Sequence, residues 1–355
     1  MKRPVHGGNL VWAAKQIGCP ASSILDFSAS INPLGPPQSA LTAIQEALNN
    51  LNHYPDPNYQ ELRQALAEWH QLSIEWVLPG NGAAELLTWV GRQLGELDIT
   101  YLITPAFQDY WRTLQGFGAK IKTYEFNWQD LAPTLTFTTL PTASAGIIIN
   151  NPHNPTGKLW NKAALLPLLE QFKLVVVDEA FMDFVPPDQQ QSLIPWVSQY
   201  PNLVIVRSLT KFYSLPGLRL GYAIAHPDRL QQWQTWRDPW CVNSLAVAAG
   251  IAVIQDQEFE QQTREWLLSA RTALFQGLLE ISSLNPIVSQ ANFLLVETTL
   301  PSSQLQQKLL QNHRILIRDC LSFPELGDRY FRIAVRTQPE NQRLIDALTL
   351  ENSEG

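Results

Sequence analysis

Four polar clusters, each directly after a short apolar segment, contain the residue types that could do chemistry in this chain. One cluster is Arg207-Ser208-Leu209-Thr210-Lys211, with Arg219 eight residues further on. Hydroxyl and guanidinium groups bind phosphate, and a lysine amine is a nucleophile when it is unprotonated. Ser208, Thr210 and Arg219 could therefore hold a phosphate while Lys211 acts as a nucleophile. The alternative for Lys211 is a solvated surface charge, which its Thr, Phe and Tyr neighbours make less expected.

Two further clusters are turns between a strand-like segment and a helix-like segment. The run from Pro79 to Glu85 contains Gly80, Gly82 and Ala83, and small residues at such a turn let backbone N–H groups approach an anion. The common alternative is an ordinary tight turn. The run Asn150-Asn151-Pro152-His153-Asn154-Pro155-Thr156-Gly157 contains two Asn-Pro-type turns, and Asn154 could present its amide to a cleft. A simple loop is the alternative there.

The fourth cluster is an acidic residue at the end of a β-branched run, Val175-Val176-Val177-Asp178. An acid directly after a buried strand is costly unless it has a partner. Asp178 could be a helix cap, an ion-pair partner or the counter-ion of a cationic cofactor nitrogen, and by itself the position favours the cap.

The elements that must position these clusters alternate between strand-like and helix-like segments. We predict strands at Ile99–Ile103, Gly146–Asn150, Leu174–Val177, Leu203–Val206 and Leu220–Ile224. We predict helices between them at Ala83–Leu94, Phe107–Gly116 and Asn161–Phe172. This alternation indicates βαβ units and a mainly parallel sheet that is covered on both faces. Ligands bind at the carboxyl ends of strands in such sheets, where the four clusters lie.

The pattern changes on both sides of this region. A helical region is predicted from about Ser244 to Ser282, with a break near Asp256. Strands at Phe293–Val296, Ile315–Ile317 and Phe331–Val335 then alternate with helices at Ser302–Gln311 and Pro339–Leu348. We therefore predict an N-terminal arm over residues 1–40, a large domain over 41–245 and a smaller α+β domain over 246–355.

Composition excludes several classes of protein. The 355 residues include 25 Lys and Arg against 32 Asp and Glu, a net charge of −7, with 45% hydrophobic and 16% charged residues. This balance is typical of a globular chain and argues against disorder and a nucleic-acid surface. The three cysteines are too far apart for a metal knuckle or a disulfide framework, so no metal site is expected. The absence of a secretory signal or a long apolar run predicts a cytoplasmic protein that does not cross a membrane.

The order of the four clusters resembles that of the fold-type I pyridoxal-phosphate enzymes, specifically the class I/II aminotransferase superfamily. The resemblance extends over essentially the whole chain. It implies an α/β fold with a mainly parallel, seven-stranded type of sheet in a large domain and a smaller α+β C-terminal domain. It also implies that the cofactor is pyridoxal 5'-phosphate and that the protein is a homodimer with composite active sites.

The resemblance assigns roles to individual residues. Lys211 is expected to bind the cofactor covalently, Asp178 to pair with its ring nitrogen and Asn154 to donate to its 3'-oxygen. The groups expected to hold the cofactor phosphate are Ser208, Thr210, Arg219 and the backbone N–H groups of Gly82 and Ala83. Phe107 is expected to stack on the cofactor ring, with Tyr110 as the competing choice. Tyr54 is expected to reach the cofactor of the neighbouring subunit.

A smaller set of residues is expected to bind the substrate. Arg332 matches the arginine that binds the substrate carboxylate in this superfamily, because a guanidinium binds a carboxylate bidentately. The expected phosphate ligands of the substrate are Arg318, Arg336, His6 and Asn32. Which arginine binds carboxylate and which binds phosphate stays open at this point.

Two groups of enzymes in this superfamily are the nearest in resemblance, namely the threonine-phosphate decarboxylases of cobalamin biosynthesis and the histidinol-phosphate aminotransferases. The N-terminal His6-Gly7-Gly8-Asn9, the run Asn32-Pro33-Leu34-Gly35 and the segment from Ile317 to Arg336 favour the decarboxylases. Phe181 also favours the decarboxylases, because aminotransferases usually have Tyr at this position. We therefore expect decarboxylation of L-threonine O-3-phosphate to (R)-1-aminopropan-2-yl phosphate. The alternatives are a histidinol-phosphate aminotransferase and, less favoured, a cofactor-binding regulatory domain.

Overall fold

The computed structural model describes residues 3–130, residue 135 and residues 144–353. Residues 1 and 2 of the predicted arm and residues 354 and 355 of the predicted small domain lie outside these ranges. The strands are β1 Leu25–Asp26, β2 Val77–Asn81, β3 Ile99–Thr104, β4 Ile121–Glu125, β5 Ala145–Asn150, β6 Leu174–Asp178, β7 Leu203–Ser208, β8 Leu220–Ala225, β9 Leu284–Pro286, β10 Phe293–Thr298, β11 Ile315–Leu316, β12 Arg318–Asp319 and β13 Tyr330–Ala334.

The helices cover the sheet and join its strands. They are α1 Leu10–Ile17, α2 Gln38–Ala47, α3 Gln60–Trp69, α4 Ala83–Gly95, α5 Gln108–Gly116, α6 Lys162–Leu165, α7 Leu168–Gln171, α8 Pro227–Trp236, α9 Ser244–Val253, α10 Gln257–Leu279, α11 Ser302–His313 and α12 Gln338–Ser353. The predicted break near Asp256 is confirmed, because Asp256 caps α10 and accepts a hydrogen bond from the Phe259 N–H at 3.0 Å.

The large sheet has seven strands in the order β2-β8-β7-β6-β5-β3-β4. Strands β4, β3, β5, β6 and β7 run parallel, whereas β8 is antiparallel to both of its neighbours. The mainly parallel α/β fold expected from the sequence is therefore confirmed. Successive residues of β6 alternate between two cores, Val175 and Val177 in one and Val176 in the other, so both faces of the sheet are buried.

The register of the parallel strands brings the predicted clusters together. Asn150 at the end of β5 pairs with Asp178 at the end of β6, and Asp178 pairs with Val206 of β7. Because these strands end at one edge of the sheet, the segments that follow them meet there. Lys211 follows β7 by three residues, and Asn154 follows β5 by four.

The C-terminal part contains a four-stranded antiparallel sheet in the order β12-β13-β10-β9. Helix α11 contacts β12, and α12 packs on α10 and α11. Residues of the predicted arm also join this part. Strand β1 pairs with β11, and Ala13 and Ile24 pack in one apolar cluster with Leu310 and Leu316. Helix α1 was not predicted, and it contacts α11. The division of the chain at residues 40 and 245 stays a prediction.

Three local predictions differ from the structure. The predicted helix Asn161–Phe172 is two four-residue helices, α6 and α7, separated at Leu166 and Pro167. Proline has no backbone N–H and clashes with the preceding turn, so a continuous helix is unfavourable there. The predicted strand Ile315–Ile317 ends at Leu316, and Ile317 separates β11 from β12, which pair with different partners. Strand β4 was not predicted, because it is an edge strand with three exposed residues and no apolar run.

Candidate active site

A cavity of about 240 Å³ opens at the edge of the sheet where β5, β6 and β7 end. Its walls come from the N-terminal segment, the loop before α5, the ends of these strands and the C-terminal sheet. The lining residues are Val5, His6, Gly7, Ser28, Ala29, Ser30, Ile31, Phe107, Gln108, Tyr110, Asn150, Asn154, Asp178, Ala180, Phe181, Lys211, Arg318, Phe323 and Arg332. Eight of the sequence-predicted site residues are therefore brought together around one space.

Lys211 presents its amine to this cavity in a setting that disfavours its positive charge. Burial lowers the pKa of the amine to about 8, with the positive charges of Arg219 and Arg332 adding to the effect and the Asp178 carboxylate opposing it. The Nζ atom lies 4.9 Å from the centre of the Phe181 ring. The backbone carbonyl of Lys211 accepts a hydrogen bond from the Asn32 N–H at 3.0 Å, which holds the loop. With a pKa of about 8, roughly a tenth of the amine is a neutral nucleophile at pH 7, far more than for an ordinary lysine.

Asp178 is the only carboxylate among the residues that line this cavity. It is buried at the end of β6, and burial raises the pKa of its carboxyl group. Its Oδ1 accepts a hydrogen bond from the Ala180 N–H at 3.0 Å, and its Oδ2 accepts one from the Tyr110 hydroxyl at 2.6 Å. The contacts reject the helix-cap alternative, because no helix begins at Asp178. The arrangement suits a carboxylate that pairs with a cationic nitrogen.

Asn154 is held so that its side-chain amide has a defined orientation. Its backbone N–H donates to Oδ1 of Asn150 at 2.7 Å, and its own Oδ1 accepts a hydrogen bond from Nη1 of Arg332 at 2.5 Å. Because the carbonyl side of the amide is occupied by Arg332, the amide nitrogen is the side that can donate to a ligand in the cavity.

A second group of predicted residues forms a compact turn beside the cavity. Helix α4 begins at Ala83, and Gly82 at its N-cap has φ 73° and no side-chain cap. A Cβ atom on Gly82 would lie 3.0 Å from Cζ of Arg219, and one on Gly221 would lie 2.6 Å from the Ala83 nitrogen. The first N–H groups of a helix have no partner within the helix and attract anions. Gly82, Ala83 and Arg219 thus form a tight, positively polarised turn. Ser208 is the last residue of β7, opposite Gly221 of β8, and Thr210 lies two residues beyond it.

Phe107 and Tyr110 both line the cavity, one turn apart at the start of α5. Their rings are 5.6 Å apart and nearly perpendicular, and the Phe107 ring also contacts that of His6 at 5.6 Å. The hydroxyl of Tyr110 is bound to Asp178, which Phe107 cannot imitate. Which of the two rings stacks on a cofactor stays a prediction.

Arg318 and Arg332 are the two cationic side chains that the C-terminal sheet contributes to the cavity. They pair directly across β12 and β13, so both side chains lie on one face of that sheet. Arg332 donates to Asn154 Oδ1 and to the Ser28 carbonyl, both of which are neutral, and burial lowers its pKa to about 10. Arg318 donates to the Val5 carbonyl and to the Ser322 hydroxyl. Two adjacent buried guanidinium groups with mostly neutral partners are typical of an anion site.

The N-terminal segment forms one wall of the cavity. His6 is exposed there, and partial desolvation together with the nearby Arg318 lowers the pKa of its imidazole. The segment is tied to the C-terminal sheet by an ion pair between Arg3 and Asp319 at 3.2 Å. Gly7 packs so closely on Ser28 that a Cβ atom would overlap the Ser28 backbone. His6 is therefore positioned at the cavity, as the sequence predicted.

Three further predicted site residues belong neither to the lining of the cavity nor to the turn beside it. The amide of Asn32 donates to the Phe212 carbonyl at 2.8 Å and to Thr263 at 2.9 Å, so it holds the lysine loop instead of facing a ligand. Arg336 donates to Glu340 at 2.8 Å and to the Asp26 carbonyl. The expectation that these two side chains bind the substrate phosphate therefore has no support in the structure. Tyr54 is 79% exposed on the surface.

The structure adds cavity residues that the sequence analysis did not single out. Asn150, which positions Asn154, belongs to the Asn-Pro motif described in the sequence analysis. Its place at the end of a predicted strand could therefore have identified it as a site residue. Ser28, Gln108 and Phe323 had no such signal, because they reach the cavity from separate loops that only the tertiary fold brings together.

Comparison with known proteins places this site in a family. The model described as Aminotransferase class I and II matches residues 22–348. The chain belongs to the aminotransferase class I and II family. It is 36% identical to threonine-phosphate decarboxylase of Salmonella typhimurium over 97% of this chain and 95% of that protein. It is also 33% identical to a histidinol-phosphate aminotransferase of Symbiobacterium thermophilum, over 100% of this chain and 97% of that protein.

Solved structures of family members have the same fold. The histidinol-phosphate aminotransferase of Clostridium acetobutylicum superimposes with a TM-score of 0.82 at 26% identity, covering 94% of this chain and 100% of that one. L-threonine-O-3-phosphate decarboxylase from Porphyromonas gingivalis gives a TM-score of 0.83 at 24% identity, covering 93% and 100%. Proteins named as either kind of enzyme therefore share this fold.

Family membership makes the chain a pyridoxal-phosphate enzyme. The residues present suit this cofactor: a buried amine of lowered pKa, a buried carboxylate for a ring nitrogen, an oriented amide, and a turn at a helix N-terminus with an arginine. The described residues contain no cluster of His, Cys, Asp and Glu that could hold a metal ion. In the same part of the chain, no helix combines the length and apolar character needed to cross a bilayer.

Proposed function

We propose that this enzyme decarboxylates L-threonine O-3-phosphate to (R)-1-aminopropan-2-yl phosphate, a reaction of cobalamin biosynthesis. The observation that carries the proposal is the pair of buried arginines, Arg318 and Arg332, on one face of the C-terminal sheet. A substrate with a phosphate and a carboxylate supplies one anion for each guanidinium. The 36% identity to threonine-phosphate decarboxylase of Salmonella typhimurium supports the same choice.

The substrate is oriented by its two anionic groups. Arg318, with His6 beside it, binds the phosphate, and Arg332 lies next to the carboxylate. Nη1 and Nη2 of Arg332 already donate to Asn154 and Ser28, so only the remaining N–H groups are available to the carboxylate. A strong ion pair to the departing group would stabilise the ground state and slow its loss, so a weak grip favours decarboxylation. The phosphate anchor then supplies most of the binding energy.

The bound cofactor supplies an electron sink for the carbanion that remains when CO2 leaves. The protein has to deliver a proton to that carbon. Lys211 is the candidate, because its Nζ atom faces the cavity and its pKa of about 8 lets it both carry and release a proton near neutral pH. Val5, His6 and Gly7 form the wall of the cavity on the side of the N-terminal segment.

We also propose that two copies of the chain form a homodimer with composite active sites. The Tyr54 ring projects from the surface and contacts the Trp240 ring at 4.7 Å. Leu48 and Leu51 are exposed nearby along the same segment. An exposed aromatic pair beside exposed leucines is unfavourable in water, and burial against a second copy removes it. Light scattering of the wild-type protein tests this, and a monomer would contradict it. Tyr54→Ala should weaken cofactor binding, and an unchanged cofactor affinity would contradict the composite site.

A CO2-release assay tests the reaction directly. The purified enzyme with bound cofactor should release CO2 from L-threonine O-3-phosphate without any keto-acid acceptor. Arg318→Met should lower kcat/KM by about 30-fold or more, because a buried charge in the substrate loses its partner. Arg336→Met is the matched control, since that guanidinium lies outside the cavity, and should change kcat/KM by less than about threefold. Absence of CO2 from wild-type enzyme would reject the proposal.

The second candidate is a histidinol-phosphate aminotransferase, favoured by the 33% identity to the protein of Symbiobacterium thermophilum. Histidinol phosphate and 2-oxoglutarate should then yield glutamate. Phe181 is the residue to change, because its ring lies 4.9 Å from the Lys211 amine and edge-on to Phe293, with no hydroxyl for a cofactor oxygen. Phe181→Tyr should raise any transamination relative to decarboxylation. Glutamate formation faster than CO2 release would replace the first proposal by this one.

A further inference from the structure

Asp178 is an anionic group in a place that disfavours anions. Its side chain is buried, and the negative charge of Asp109 adds to the effect of burial in raising the pKa of its carboxyl group. Three contacts act in the opposite direction: the Tyr110 hydroxyl, the Ala180 N–H and the positive charge of Lys211. Of these, the charge of Lys211 is partly lost near neutral pH because the pKa of that amine is about 8. The two hydrogen bonds are the permanent support of the carboxylate.

Tyr110 is built to be a donor in this contact. Its side chain is buried, and desolvation together with the Asp178 and Asp109 charges raises the pKa of the phenol well above 10, so its proton stays on oxygen. The Oη to Oδ2 distance of 2.6 Å is that of a charge-assisted hydrogen bond. The helix that carries it, α5, packs tightly on α4, where a Cβ atom on Gly91 would lie only 2.8 Å from the Thr113 backbone. The hydroxyl is therefore presented from a fixed helix to a fixed strand.

The two hydrogen bonds enter the carboxylate from different sides. Ala180 binds Oδ1 from the chain that follows β6, and Tyr110 binds Oδ2 from α5. A single donor would leave the carboxylate free to turn about its last bond, which has a broad and shallow torsional profile. Two donors on opposite oxygens define its plane. The remaining lone pairs of both oxygens then point in a direction set by the protein and not by a ligand.

We propose that Tyr110 is a positioning residue that keeps Asp178 ionised and oriented, so that Asp178 can hold a proton on the cofactor ring nitrogen. This role differs from stacking on the cofactor ring, the role that the family resemblance had offered for Tyr110. It rests on the assignment of the cofactor site and not on which of the two reactions the enzyme performs. Phe107 has no group that could substitute for the hydroxyl.

The test is Tyr110→Phe in the full chain, with Tyr222→Phe as a matched control. Tyr222 is also a buried tyrosine next to the same sheet, and its hydroxyl contacts Nε2 of His70 at 2.8 Å, away from the cavity. Both variants remove one buried hydroxyl, so both should lower the stability of the apoprotein to a similar extent. Only the first removes a donor from Asp178.

Two readouts report on the cofactor and are independent of turnover. Titration of the apoprotein with pyridoxal phosphate should give a dissociation constant about 10- to 100-fold weaker for Tyr110→Phe and unchanged within about twofold for Tyr222→Phe. Nitrogen-15 NMR of bound, ring-labelled cofactor should show loss of ring protonation at a lower pH in Tyr110→Phe than in wild type. A wild-type affinity and a wild-type titration in Tyr110→Phe would overturn the proposal, as would equal changes in both variants.

These readouts separate this inference from the proposed reaction. If wild-type enzyme binds the cofactor but releases no CO2 from threonine phosphate, the reaction proposal fails while the nitrogen titration still decides the role of Tyr110. If wild-type enzyme releases CO2 and Tyr110→Phe keeps the wild-type nitrogen titration, the positioning role fails and the reaction proposal stands.

Discussion

Replacement of Gly221 by alanine should weaken cofactor binding through a backbone displacement that can be worked out from the structure. Gly221 lies on β8 opposite Ser208. A Cβ atom there would lie 2.6 Å from the Ala83 nitrogen, 2.8 Å from the Arg207 carbonyl oxygen and 3.0 Å from the Gly82 carbonyl carbon. All three are backbone atoms, so no side chain can rotate away. The Ala83 nitrogen has to retreat by about 0.8 Å to reach ordinary van der Waals contact.

Two effects follow, one on the stability of the protein and one on the affinity for the cofactor. Insertion of a methyl group into packed structure costs about 1–3 kcal/mol of the free energy of unfolding. A retreat of that size also breaks any hydrogen bond between the Ala83 N–H and the cofactor phosphate, since hydrogen bonds weaken steeply beyond about 3.2 Å. A hydrogen bond to a charged group is worth about 1.5–3 kcal/mol, which corresponds to about a 10- to 150-fold weaker dissociation constant.

The assay is fluorescence titration of the apoprotein with pyridoxal phosphate, combined with urea unfolding of the apoprotein. Gly217→Ala is the control, because Gly217 lies on the loop that carries Arg219 and its Cβ position is open. Gly217→Ala should leave both measurements unchanged within about twofold and about 0.5 kcal/mol. If Gly221→Ala loses stability but binds the cofactor as tightly as wild type, the turn at Ala83 does not hold the phosphate and the reasoning fails.

Further predictions concern charge and pH. Capture of pyridoxal phosphate by the apoprotein needs the neutral Lys211 amine, so the rate of capture should rise with pH and level off above about 8. A rate that continues to rise toward pH 10.5 would mean that Lys211 has the pKa of an ordinary lysine. Arg207→Met leaves two buried carboxylates of raised pKa unpaired, so urea unfolding at pH 8 should show a loss of about 3–5 kcal/mol. That loss should shrink at pH 5, as the carboxyls protonate in the folded variant, and a pH-independent loss would contradict this. Burial lowers the pKa of His70 and His153 to about 3, so the unfolded state takes up their protons first on acidification. Stability should therefore fall from pH 6.5 toward pH 3, and His153→Gln should reduce that fall in a denaturation series; an unchanged slope would contradict the assignment.

Much of the fold could be predicted because its signals are local. The apolar runs that became β3, β5, β6, β7 and β8 are buried on both faces, so each of them is visible without knowledge of its neighbours. Strand β4 and the short pairing of β1 with β11 escaped prediction for the opposite reason. An edge strand with exposed residues and a strand of two residues have no continuous apolar pattern of their own.

The residues of the candidate site also differ in whether the sequence could predict them. Lys211, Asp178 and Asn154 each follow a strand directly, and parallel strands end at one edge, so their meeting could be expected from their order alone. The second arginine of the cavity was harder to predict. The sequence offered both Arg318 and Arg336 as partners of Arg332, and only the antiparallel register, which pairs Arg318 with Arg332, brings one of them to the cavity. Arg336 is instead bound to Glu340.

By itself, the sequence determined the family, the cofactor and the residues that follow each strand, because those features depend on short motifs in a set order. Only the tertiary structure decided which polar groups are free to meet a ligand. The Asn32 amide donates its hydrogen bonds to Phe212 and Thr263, and the Tyr110 hydroxyl donates to Asp178. Hydrogen-bond partners that are far apart in the chain leave no pattern in the sequence, since they depend on how separate elements pack together.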